Sequence, residues 1–112
     1  MRRVSQSMNS AAVLHQAPSA EVSVLAVAGR LYGPEAAGLR NQVEALLRRG
    51  RRRIVLSLAR ASDVDVAGVG ELVRAYNMTV AAAGILRVSQ PDGRVRELLD
   101  RVGLLDVLTS GA

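Results

Sequence analysis

The chain has 112 residues, 49% of them apolar, and a net charge of +5. That is the size of one domain with one core, and too apolar for a disordered chain. It has no cysteine and one histidine, His15, which excludes disulfides, thiolate chemistry and a zinc or copper site built on soft or imidazole ligands.

Taken in order, residues 1–10 are small and polar and read as a flexible tail; two arginines without a sustained apolar segment do not make a secretory signal. Ala11 to His15 is a candidate first strand, and Gln16 to Ala20, with Pro18, a turn. Val22 to Ala28 is β-branched and apolar and predicts a strand that ends at Gly29 and forms a hairpin with the first. Pro34 suits a helix's first turn, Ala36, Leu39, Val43, Leu46 and Leu47 mark its apolar stripe, and Gly50 terminates it.

All 15 basic residues are arginine, and Arg48, Arg49, Arg51, Arg52 and Arg53 crowd around Gly50. One reading is a patch for phosphate backbones or anionic lipid headgroups. The other is arginines that finish a helix, whose C-terminal carbonyls favour positive charge, and then flank a turn. With only Tyr32 and Tyr76 as aromatics, stacking on bases has little support.

Ile54 to Gly70, IVLSLARASDVDVAGVG, holds the centre. Its opening run is apolar except for Ser57, the pattern of a strand buried on both faces. Ala61 to Asp65 follows as a polar elbow, and beyond Gly68 and Gly70 the positions Val69, Leu72, Val73, Tyr76 and Val80 recur with helical spacing, with Asn77 and Thr79 on the outer side. In a strand–loop–helix unit the loop leaves the carboxyl edge of the sheet, where open α/β folds place binding surfaces. Gly84 is expected to close that helix, Ile85 to Val88 to form a strand, and Pro91-Asp92-Gly93 a turn. Val95, Leu98, Leu99 and Val102 give a third helix ending at Gly103, and Leu104, Leu105, Val107 and Leu108 a last half-turn over the core. Strands alternating with helices imply right-handed crossovers and a mainly parallel sheet.

Three features of the elbow admit two readings each. Asp65 is either a helix N-cap accepting from the amide of Ala67 or Gly68, or a carboxylate for a partner's basic group. Gly68 and Gly70 precede a helix as phosphate-cradling loops do, but lack the rest of such motifs; close backbone approach to the sheet or to a partner is the alternative. Ser62 is either a modifiable hydroxyl or a loop residue bonding locally. Asp63 and Asp65 alone, without a nearby histidine or lysine, define no catalytic site.

This central segment resembles that of the STAS domain, the family named for sulfate transporters and anti-sigma factor antagonists, and the resemblance extends over roughly Glu21 to Leu108. The family's loop reads Asp-Ser-Ser-Gly-Leu-Gly; Asp65, Gly68 and Gly70 fall on its Asp and glycines, Val66 and Ala67 on its serines, the second being the usual phosphorylation site. Gly29-Arg30-Leu31-Tyr32 resembles the family's Gly-Glu-Leu-Asp, with Tyr32 in place of an acid near the loop, and Ser57 stands where the strand usually carries Asp. The resemblance implies an α/β STAS fold, a small mixed four- to five-stranded sheet with helices mostly on one side, as a domain spanning 11–108 with frayed last residues.

It further implies a cytoplasmic, non-catalytic module without cofactor or metal. Its partner would be an anti-sigma factor, a GHKL-type serine kinase, or another regulatory protein, and a homodimer is left open. Partner contact is expected through Asp63, Asp65, Val66, Ala67, Gly68, Val69 and Gly70, without a phosphoryl switch because Ala67 has no hydroxyl. Alternative readings are an accessory subunit of a lipid-transport ABC complex and an arginine-patch binder of nucleic acid or anionic surfaces.

Overall fold

The computed structural model describes residues 12–16 and 21–109. The expected tail, residues 17–20 of the expected turn and residues 110–112 lie outside them; Gln16, expected in the turn, ends β1, and Thr109, expected to fray, ends α4. Eight elements follow one another: β1 (Ala12–Gln16), β2 (Val22–Leu31), α1 (Gly33–Arg48), β3 (Arg53–Val64), α2 (Val66–Ala81), β4 (Ile85–Ser89), α3 (Gly93–Arg101) and α4 (Leu105–Thr109). The sheet is four-stranded and mixed, in the order β1-β2-β3-β4. β1 runs antiparallel to β2, as a hairpin must, and β2, β3 and β4 are parallel.

Leu25 and Val27 on β2, Ile54, Leu56 and Leu58 on β3, and Leu86 and Val88 on β4 are buried. They form one cluster with Ala36, Leu39, Val43 and Leu46 of α1, Val69, Leu72 and Ala75 of α2, Val95 and Leu99 of α3, and Leu108 of α4. The helices therefore cover one face. Truncating Leu56, fully buried mid-strand, would cost about 2–5 kcal/mol. On the opposite face Val24, Val55 and Ser57 are half-buried and Ala59 is exposed. The expectation of a central strand buried on both faces is thus corrected. An unbroken aliphatic run hides the alternation of environments that the helices impose from one side.

Two strand ends also differ from expectation. β2 does not stop at Gly29; it bulges there, with φ +98 at Gly29 and register shifts between Ala26 and Ala28 and between Gly29 and Arg30. It runs on to pair Arg30 with Asp63 and Leu31 with Val64. The polar stretch expected as an elbow is therefore the end of β3, because β2 supplies a partner strand that outweighs its weak β propensity. The turn proper is Asp65 alone, and α2 begins at once with Val66.

Three helices end alike. Gly50, Ala83 and Gly103 take left-handed backbone (φ +86, +62 and +78), and the amides of Arg51, Gly84 and Leu104 reach back to the carbonyls of Leu46, Thr79 and Leu99. In α2 the left-handed residue is Ala83, not the expected Gly84. Gly84 is needed one position later, where a Cβ would stand 2.6 Å from the carbonyl oxygen of Arg52. Thr79, expected outward, is buried; its hydroxyl donates to the Ala75 carbonyl at 2.8 Å and so enters the core satisfied. Val80, expected on the apolar stripe, is 52% exposed, and Val102 caps α3 in solvent.

Candidate functional site

The carboxyl edge of the parallel strands is where β2, β3 and two helix starts converge. Asp65 has extended backbone and its Oδ1 accepts from the Gly68 amide at 2.6 Å, the N-cap of α2. The cap holds Val66 and Ala67 outside the fold: Val66 is 74% exposed and Ala67 is exposed. Gly68 and Val69 turn inward and are buried. A Cβ on Gly68 would lie 2.2 Å from the Leu31 carbonyl oxygen, so the first turn of α2 rests directly on the end of β2. Gly70 is exposed and a Cβ there would meet nothing. The two glycines thus divide the two readings, close packing inside for Gly68 and room outside for Gly70. α1 starts alongside, since a Cβ on Gly33 would approach the Ala67 Cβ to 3.1 Å. Arg40 Nε and Glu71 Oε1, 2.5 Å apart, tie the two helices further along.

Asp63 faces inward on a network that spacing along the chain gave no sign of. Its Oδ2 accepts from the Tyr32 hydroxyl at 2.8 Å; its Oδ1 accepts from Arg94 Nε at 3.1 Å and from the Val64 amide at 2.9 Å. The Tyr32 hydrogen bond, then that of Arg94, holds the Asp63 carboxyl below its ordinary range. The same hydrogen bond pushes the Tyr32 phenol up, and Asp63 raises the Arg94 guanidinium. The Arg30 guanidinium sits 5.4 Å over the Tyr32 ring. Tyr32 and Arg94 each lie 31 residues from Asp63, which is why periodicity could not join them.

Of the other residues singled out, Ser62 is exposed near the end of β3. Thr79 lies at the far end of α2, away from the elbow. Ser57 sits mid-strand beside Ala26 and Ser89 on the face away from the helices, about 20 Å along β3 from Val64 at ~3.3 Å per residue. It is therefore not a neighbour of Val66 and Ala67.

The arginine cluster lies at the opposite edge and is largely bound to the fold. Arg51 donates to the buried Ser23 hydroxyl at 2.7 Å and to the Val22 carbonyl at 2.9 Å. Arg52 donates to the carbonyls of Leu47 at 2.9 Å and of Arg51 at 3.1 Å, and Arg48 pairs with Glu44. Arg52 thus meets a helix-end carbonyl, that of Leu47, as the second reading of the cluster expected, while Arg51 ties the turn to the start of β2 and Arg49 and Arg53 are exposed.

Among the described residues no group of three or more His, Cys, Asp or Glu side chains is placed to hold a metal, and no helix is long and apolar enough to cross a membrane. The edge is a small surface with an apolar tip, and Asp63 and Asp65 bond within the fold. Such a surface can dock against another protein.

The family model described as the STAS domain matches residues 12–111. No curated relative matches the chain by sequence. Two solved structures of SpoIIAA, the Bacillus cell fate determinant, are similar in fold. The phosphorylated form has a TM-score of 0.68 at 22% identity, covering 83% of this chain and 85% of that one. The unphosphorylated anti-sigma factor antagonist gives 0.74 at 22%, covering 84% and 83%. An anti-sigma factor antagonist from Mycobacterium paratuberculosis gives 0.73 at 20%, covering 93% and 86%.

Proposed function

The chain belongs to the STAS domain family, and from that premise we propose that it is a docking module that binds an anti-sigma factor of the GHKL serine-kinase type and so frees a sigma factor. The observation that carries the reading is Val66, 74% exposed at the tip of a capped helix start with Ala67 and Gly70 exposed beside it. A large aliphatic side chain held in water by a rigid cap gains by being covered. Val66, Ala67 and Gly70 are the contact positions; Asp65, Gly68 and Val69 hold them in place, and Asp63 anchors the surface from inside. STAS antagonists are generally non-catalytic.

Ala67 removes the hydroxyl that a partner kinase would modify. In a hydroxyl-bearing relative, a phosphate there would add about 1.5 to 2 negative charges and break the interface by desolvation and repulsion. Here binding would instead follow the amounts of the two proteins. The test takes each purified anti-sigma kinase of the source organism and titrates it with this protein by calorimetry. We expect one to bind, Val66→Glu to abolish binding with an unchanged melting curve, and intact mass after incubation with kinase and ATP to show no added phosphate. Undiminished affinity of Val66→Glu removes the tip from the interface, and one added phosphate, with Ser62 the first site to map, restores a switch.

A further inference from the structure

The charged side chains around the tip differ in exposure and in what holds them. The acids of this edge, Asp63, Asp65, Glu35 and Glu71, are all half-buried. Asp63 is held by Tyr32 and Arg94, Asp65 caps Gly68, Glu71 pairs with Arg40, and Glu35 has its Oε1 sealed from solvent. Of the arginines, Arg94 and Arg60 project, whereas Arg30 is half-buried like the acids. Arg94 is 74% exposed in its side chain and binds Asp63 through Nε at 3.1 Å, so the terminal nitrogens of its fork extend beyond that contact. Arg30 lies over the Tyr32 ring, and Arg60 is exposed on β3 three residues before Asp63. Glu97, one turn along α3, is an exposed acid within range of Arg94, while Asp92 bonds the Gly93 amide. The start of α2 adds the positive end of its dipole. Arg94 and Arg60 are thus the exposed cations beside the aliphatic tip.

We infer that the partner meeting this edge presents an acidic face: a shallow apolar recess for Val66 bordered by carboxylates that take the outward guanidinium of Arg94 and reach that of Arg30 over the Tyr32 ring. The inference rests on the docking reading above and specifies the partner's chemistry. It also gives Tyr32 a role. Where a carboxylate would offer this position to a basic partner, the phenol turns inward to Asp63 and offers Arg30 a ring to lie on. The edge is thereby suited to anions and repels a basic partner.

The experiment uses the kinase that binds in the calorimetric test and two probes of known composition, hexaglutamate and hexalysine. Arg94→Gln and Arg30→Gln should each weaken kinase binding about tenfold, the double variant more, with Arg94→Lys recovering part of the loss and melting curves confirming the fold. Affinity should fall as salt rises. In amide NMR spectra at low salt, hexaglutamate should shift Arg30, Val66 and Arg94, and hexalysine should not. Kinase binding that ignores both arginine variants and salt, while Val66→Glu still abolishes it, overturns the acidic partner and leaves the docking reading standing. If Val66→Glu also binds normally, the docking reading falls. The peptide spectra then decide the charge question alone: shifts at Arg30 and Arg94 with hexaglutamate support an anion-binding edge, and their absence overturns it.

Discussion

The two edges of the parallel sheet carry opposite lessons about charge. At the amino edge the arginines are dense in sequence, yet Arg51 and Arg52 point back onto carbonyls and onto the Ser23 hydroxyl. At the carboxyl edge the charges are sparse, yet the acids turn inward and Arg94 is left largely in solvent. A helix C-terminus presents bare carbonyls that draw in cations; a helix N-terminus presents bare amides that draw in a carboxylate. The amino edge thereby takes Arg51 and Arg52 back onto the fold while Arg48, Arg49 and Arg53 stay in solvent, and the carboxyl edge is left with an apolar tip and the exposed Arg94. Density of charge along a chain is a poor guide to which surface is available.

Each edge has a glycine that admits no side chain, and these give the largest expected effects. Gly68→Ala sets a Cβ 2.2 Å from the Leu31 carbonyl oxygen and should destabilise by about 3 kcal/mol in thermal or urea unfolding. Gly84→Ala, at 2.6 Å from the Arg52 carbonyl oxygen, should cost about 2 kcal/mol. Gly70→Ala, with open space around it, should stabilise by up to ~1 kcal/mol, since alanine suits a helix better. If Gly68→Ala melts like the wild type, α2 does not rest on β2 and the carboxyl edge is looser than the amino edge.

Arg51→Ala tests the closed edge next. It strands the fully buried Ser23 hydroxyl and should cost about 1–2 kcal/mol, whereas Arg53→Ala should stay within about 0.5 kcal/mol. Equal effects of the two would mean that the cluster is not sorted into structural and free members. Asp65→Ala removes the cap of the open edge and should cost about 1 kcal/mol in unfolding. It should also weaken partner binding by loosening Val66. A loss of binding without a loss of stability would return Asp65 to the role of direct ligand.

Much of this was legible in the sequence. Element types and order follow from period and punctuation, and the apolar positions of α1 and most of those of α2 and α3 are core. Asp65 as cap was readable because capping is local: the acceptor and the Gly68 amide are three residues apart. What was not readable is non-local. β3 runs on through Asp63 because β2 lies beside it, Thr79 is buried because its side of α2 packs into the core, which the bond to Ala75 permits, and Asp63 is held because Tyr32 and Arg94 arrive from other elements. The Asp63–Asp65 pair read as one feature of an elbow and is two: an inward anchor at a strand end, and a cap.

The smallest expected effect concerns that anchor and separates the edges by pH. The Tyr32 hydroxyl is the foremost cause of the lowered Asp63 pKa, so Tyr32→Phe should move the carboxyl's titration upward while Arg94 and the Val64 amide still hold it below the ordinary range. A carboxyl lowered in the fold stabilises it fully above the unfolded value, about 4, and loses that contribution as pH falls through the folded value. The wild type's advantage over Tyr32→Phe therefore lies at neutral pH and shrinks below about pH 4. Tyr32 itself has the opposite limb: its raised phenol favours the fold below about pH 10 and loses that preference as pH rises through the folded value. Carbon-detected NMR titration of Asp63, with melting curves across the acid range, measures the first limb. The exposed Arg48–Glu44 pair of the amino edge serves as control, since an i,i+4 pair in solvent should leave the acid limb almost unmoved. An Asp63 that titrates alike in wild type and Tyr32→Phe would mean that the phenol does not hold it, and the inward sorting of acids that leaves the carboxyl edge to its arginines would lose its main support.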